Sequence, residues 1–127
     1  MSRRAALPGL FLAGATGFLG IGFGAFGVHA LKGVLEAHHA REIWNTAVLY
    51  HLVHVPVLLW LAREQSIPRI PFLCFAFGIL LFSGSLYLLA VTGFTWLGAI
   101  TPIGGLLLMA GWAWIAWSGL RSESRAS

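Results

Sequence analysis

Charge is what this sequence has least of. Only 9% of its 127 residues are Asp, Glu, Lys or Arg, where an average soluble domain carries about 25%. With 58% of positions hydrophobic, the polar surface needed to cover a water-soluble globule is missing. Acid is scarcer still. There is no Asp, and Glu36, Glu42, Glu64 and Glu123 all stand outside the centres of the apolar runs, so the membrane-buried carboxylate that ion-coupled export generally uses is lacking. The single cysteine, Cys74, cannot form an internal disulfide; it reads as a packing residue and says nothing of the redox compartment. The basic residues never cluster beyond a pair, so the net charge of +4 makes no case for a nucleic-acid surface. Nor does the chain show the nucleophile–base–acid constellation or phosphate loop of a hydrolase or transferase.

What is present is uninterrupted apolar sequence. No charged residue occurs at 5–31, 43–62 or 70–120, and about 20 apolar residues suffice for a helix to cross roughly 30 Å of hydrocarbon. The first two runs hold one helix each. The third holds two, because Thr92-Gly93-Phe94-Thr95 interrupts it with turn-forming, weakly helical residues. The expected fold is an all-α integral membrane four-helix bundle in one domain, 1–127, with antiparallel helices at about 7–28, 42–62, 70–91 and 101–118. Thr101 is the expected N-cap of the last helix and Pro102 its first residue; a start nearer Trp96 with a kink at Pro102 is the alternative. Residues 31–41 carry Leu31, Val34, Leu35 and His38 at helical spacing, which suits a short amphipathic segment in the interface. Lys32 and Glu36 within it form an i, i+4 pair. His38 and His39 read as loop residues before they read as loose metal ligands.

The glycines look at first like a nucleotide site. In "AGATGFLGIGFGAFG", 13–27, Gly22, Gly24 and Gly27 spell G-x-G-x-x-G. That fingerprint works only between a strand and a helix inside a parallel sheet, and nothing downstream supplies the other strands, so no dinucleotide is expected. At helical spacing, Ala13, Gly17, Gly20, Gly24 and Gly27 instead form one small-residue stripe suited to close helix packing in lipid. Gly78 with Cys74, Ser85 and Thr92, and Gly104 with Gly111 and Ser118, give similar faces to the third and fourth helices. The two halves show no internal repeat of the inverted-transporter kind.

Ser2-Arg3-Arg4 followed by Val28-His29-Ala30 imitates a secretory signal, but the apolar run exceeds the roughly 7–15 residues of a signal core and reads as an uncleaved helix. Arg3, Arg4, Arg63, Arg69, Arg121 and Arg125 fall on one side of the four-helix topology against Lys32 and Arg41 on the other, which places both termini in the cytoplasm. Trp44 and Trp96, with Trp60 and Trp117, suit the two aromatic belts.

Chemistry, if any, lies in the second helix, "WNTAVLYHLVHVP". Trp44, Thr46, Tyr50, His51 and His54 share a broad face, with the two histidines i, i+3 near mid-membrane depth. Neutral imidazoles there act as metal ligands, proton relays or hydrogen-bonded glue between helices, and Pro56 adds a local backbone irregularity. Two histidines fall short of the three or four ligands of a zinc site; His29, at the outer end of the first helix, is the third candidate, poorly matched in depth.

"GAFGVHALKG", 24–33, "WNTAVLYHLVH", 44–54, "FSGSLYLLAVTG", 82–93, and "GAITPIGGLLLMAGW", 98–112, resemble in order the four signature blocks of the small membrane protein family of transmembrane protein 256 and bacterial inner-membrane relatives, also catalogued as domain-of-unknown-function family 423. The resemblance implies a four-helix protein of the cell membrane, the inner membrane in bacteria, and brings no established activity, substrate or cofactor. His29, Lys32, Trp44, Tyr50, His51, His54, Ser83, Ser85, Thr101, Pro102 and Trp112 match its motif positions; Val28 stands where Ala is the commoner residue.

Three functions are compatible with this reading. The first is a non-enzymatic packing or assembly module without a cofactor, its partners being the bilayer, another copy or another membrane protein, joined through Gly17, Gly20, Gly24, Gly27, Gly78, Gly104 and Gly111. The second is an embedded site for a metal, haem or proton on His51 and His54, helped by Tyr50, His29 or Ser85. A small-molecule exporter comes third.

Overall fold

The computed structural model describes residues 3–64 and 67–126, with side chains for 8–64 and 67–124. Ser2, and the side chains of Arg3, Arg4 and Arg125 that entered the signal and orientation readings, lie outside the described residues. Among those residues the secondary structure is helical throughout: α1 Arg3–Val28, α2 Lys32–Ala37, α3 Arg41–Arg63, α4 Arg69–Thr92 and α5 Thr101–Ala126, with a 3-10 turn at Thr95–Ala99 before α5. Four of these helices are long and apolar enough to cross a membrane. An apolar run in lipid has no other stable choice, since a helix alone satisfies every backbone N–H and C=O within one segment. Arg41, Arg63 and Arg69 stand at helix ends, where the charge-free runs stop.

The connections are built from specific caps. At the end of α2, Ala40 N–H donates to Leu35 O (2.8 Å) and His39 N–H to Glu36 O (3.1 Å), with His39 in the left-handed region at φ 51°. This is the paired Schellman bonding, completed by burial of Leu35 and Ala40 in one apolar cluster. It reverses the chain into α3 and swings Arg41 back over α2. Glu36 therefore pairs with Arg41 (3.2 Å) rather than with Lys32, in an exposed contact worth little. Gly93, φ 72°, ends α4 with its N–H on Leu89 O (2.8 Å), and the His38 side chain donates from Nδ1 to the next carbonyl, Ala90 O (3.1 Å). At the start of α5 it is Ile100 whose carbonyl receives the first helical N–H groups, from Ile103 and Gly104. Thr101 is thus already inside the helix, and its hydroxyl is engaged by Ser85 Oγ at 2.7 Å instead of capping.

α1 packs along α3, α3 along α4, and α4 along α5. On α1, a Cβ placed at Gly9, Gly17, Gly20, Gly24 and Gly27 would meet Ala62, Val55, Leu52, Val48 and Trp44 in turn. The descending order shows the antiparallel register, and it places the whole stripe against α3 of the same chain. α4 and α5 interlock likewise: Gly78 faces Leu108, Gly104 lies against the backbone of Phe82, and Gly111 receives the Phe75 ring. Among the described residues α1 reaches neither α4 nor α5 at backbone packing distance. The bundle is therefore a curved row of helices, open between α1 and α4.

Two apolar clusters fill the row. Ala13, Leu58, Leu61, Phe75, Ile79 and Leu108 form one; Leu35, Ala40, Trp44, Ala47, Tyr87 and Ala90 form the other, beside α2. Between them in sequence on α3 and α4 lie His51, His54 and Ser83.

Candidate functional site

His51 is 5% exposed and reaches two other helices. Its Nε2 lies 2.9 Å from Thr16 O on α1 and its Nδ1 3.0 Å from the Tyr87 hydroxyl on α4. A carbonyl can only accept, so Nε2 carries the proton; in the neutral ring that burial at this depth favours, Nδ1 then receives the Tyr87 O–H. Gly20 makes this reach feasible: a Cβ there would lie 2.6 Å from Leu52 Cδ2 and 3.3 Å from the His51 ring. The glycine stripe is thus what brings α3 within hydrogen-bonding distance of the α1 backbone.

His54 is 7% exposed and faces elsewhere. Its Nδ1–H donates to Tyr50 O one turn back, at 2.6 Å, and its Nε2 accepts the indole N–H of Trp112 on α5 at 3.2 Å. Indole is a donor only, so Nε2 must offer a lone pair and the ring is neutral. The two histidines hold opposite tautomers because they serve different partners.

Other polar side chains extend the same layer. Ser83 Oγ donates to Ala47 O at 2.7 Å, tying α4 to α3, and Ser85 Oγ meets both Phe82 O (3.0 Å) and Thr101 Oγ1 (2.7 Å), tying α4 to α5. Trp44 is buried, its ring lying where a Cβ on Gly27 would stand and its indole N–H donating to Phe23 O at 2.9 Å. It is therefore a packing residue and does not sit in the aromatic belt expected from its place near a helix end; Trp60, Trp96 and Trp117 remain outward. Phe23, Trp44 and Tyr87 meet edge-on or tilted at centroid separations of 4.7–6.1 Å, and Phe23 and Tyr87 also flank the His51 ring.

The polar residues singled out in sequence thus divide among separate contacts. His51 stands with Thr16 and Tyr87, and His54 with the Tyr50 carbonyl and Trp112. Ser85 stands with Thr101. Tyr50 contributes its backbone, while its half-exposed ring lies on Phe82 at 4.4 Å. His29 is exposed in the turn after α1. Among the described residues no group of three or more His, Cys, Asp or Glu side chains converges as a metal site would require. Sequence reasoning gave no role to Thr16 or Tyr87. The only available signal was that Ser83 and Tyr87 share the i, i+4 spacing of Ala47 and His51, which becomes legible once α3 and α4 are known to pair.

Four membrane-length helices held by buried side-chain hydrogen bonds define a multi-pass helical membrane protein. A family described as "Protein of unknown function (DUF423)" matches residues 23–105, and the chain belongs to it. It is similar to the UPF0382 membrane protein YwdK of Bacillus subtilis, 40% identical over 113 residues that cover 84% of this chain and 90% of that protein. A UPF0382 membrane protein of Haemophilus influenzae is 37% identical, with 91% of this chain and 95% of that protein covered. The UPF0382 inner membrane protein YgdD of Escherichia coli is 36% identical over 82% of each chain. No solved structure matches.

Proposed function

We propose that the protein is a non-enzymatic helical module of the membrane, in which His51 and His54 are cross-links between helices. One observation carries this reading: all four imidazole nitrogens are engaged, and the single lone pair of each neutral ring is taken, by Tyr87 O–H in one case and Trp112 N–H in the other. A metal or haem on either ring would have to break a bond that joins two helices. The packing glycines support the same reading with a change of emphasis. Gly17, Gly20, Gly24, Gly27, Gly78, Gly104 and Gly111 all pack within the chain, so assembly with another copy or another protein would use other surfaces. In this proposal both termini are cytoplasmic, supported by six basic residues on that side against two on the other.

The test is elemental analysis and an ultraviolet–visible spectrum of protein purified gently from membranes, beside a His51→Ala/His54→Ala variant of matched helicity. We expect no stoichiometric metal and no Soret band in either, with the variant less stable. A metal or Soret band present in the parent and lost in the variant would overturn the proposal in favour of an embedded site.

A further inference from the structure

The opening between α1 and α4 is a groove of about 420 Å³, floored by His51 and walled by α1 residues such as Leu12, Leu19 and Phe23 and α4 residues such as Phe77 and Leu80. We propose that this groove binds one hydrocarbon chain of a membrane lipid, lying lengthwise between the two helices.

Shape is the first argument. The lining runs from Leu12 to Phe23 on α1 and from Leu73 to Tyr87 on α4, roughly 16–21 Å at about 1.5 Å per residue. Spread over that length, 420 Å³ is a narrow furrow, small beside the roughly 10–12 Å diameter of a helix with its side chains. A helix from a second copy can cover its mouth but cannot fill its floor. A single file of methylenes, with carbon contacts at about 3.5–4.0 Å, fits. The lining also offers only a fraction of the roughly 800 Å² per partner that stable protein association takes.

Chemistry is the second. No charged side chain lines the groove, and its polar groups are committed inward. Thr16 Oγ1 donates to Leu12 O at 2.7 Å, and Thr16 O is held by His51. Tyr87 donates to His51, and Ser83 to Ala47 O. The occupant therefore meets an apolar wall with no donor or acceptor seeking a headgroup, which selects the tail of a lipid. Lipid in the surrounding annulus wets every outward residue alike. A chain in the groove instead touches α1 and α4 at once, and its contacts concentrate on the lining.

The full chain is reconstituted in phosphatidylethanolamine–phosphatidylglycerol vesicles with a trace of phosphatidylcholine bearing a mid-chain diazirine, illuminated, and mapped by mass spectrometry. We expect adducts on Leu19, Phe77 and Leu80 to exceed several-fold those on the outward residues Phe11 and Met109, which are as exposed or more so. Leu80→Trp, or Leu19→Trp, fills the groove and removes that excess while the helicity and melting of the variant stay near the parent's. Even labelling of groove and outward residues would overturn the proposal. Groove labelling that disappears as the protein-to-lipid ratio is raised, with labelling of Phe11 and Met109 unchanged, would also overturn it, and would assign the groove to a second copy.

Discussion

At the scale of single residues, the two intramembrane histidines are explained by what their nitrogens can do. His51 donates to a helix backbone and accepts from a phenol; His54 donates to its own helix and accepts from an indole. Hydrogen bonds of this kind in membranes average about 0.6 kcal/mol and reach about 1.7 in double-mutant cycles, because the unfolded chain in lipid also finds partners. Unfolding in detergent of Tyr87→Phe, His51→Ala and the double variant should therefore return a coupling energy of roughly 0.6–1.7 kcal/mol. A coupling indistinguishable from zero would mean that the 3.0 Å contact contributes nothing. The histidines themselves were legible in the sequence, since few other groups in helix centres have a polar ring to satisfy. Their partners were not: a backbone carbonyl such as that of Thr16 carries no sequence signal, and Tyr87 looks like any aromatic residue in an apolar run.

At the scale of elements, the four long helices were legible because charge stops where lipid starts, and the small-residue stripes because their spacing follows the helical turn. Which surface each stripe meets was not. In lipid the faces toward a neighbour and toward acyl chains are equally apolar, so hydropathy does not tell them apart; Trp44, expected outward and found against Gly27, is the clearest case. The packing makes a graded prediction. At Gly104 a Cβ would run into the Phe82 backbone, which has no rotamer to yield, whereas at Gly14 and Gly22 it would meet nothing within 4 Å. Gly104→Ala should cost about 1–3 kcal/mol or prevent folding, while Gly14→Ala should be neutral or stabilise by roughly 0.5–1 kcal/mol. Thermal unfolding in detergent compares them, and equal effects at the two sites would contradict the α4–α5 interlock.

At the scale of the whole molecule, the chain is a row of helices cross-linked by buried hydrogen bonds, with one open flank. The composition made its place in a membrane legible, and the order of its motif blocks its family; the open flank was not legible, because the absence of close backbone packing between α1 and α4 follows from how the three helix–helix interfaces are arranged. The basic residues predict a direction in the bilayer. A fluorescent protein fused to the C-terminus should fluoresce, and alkaline phosphatase fused at the same point should stay inactive; the reverse pattern would place the C-terminus outside and invert the topology. Neutral histidines acting as cross-links tie α3 to α1, α4 and α5. The most direct measurement is nitrogen-15 NMR of the imidazoles in bilayers, with His51→Gln and His54→Gln variants for assignment. The predicted spectrum shows two neutral rings of opposite tautomer, His51 protonated at Nε2 and His54 at Nδ1. A doubly protonated ring, or nitrogens shifted by a bound metal, would contradict it.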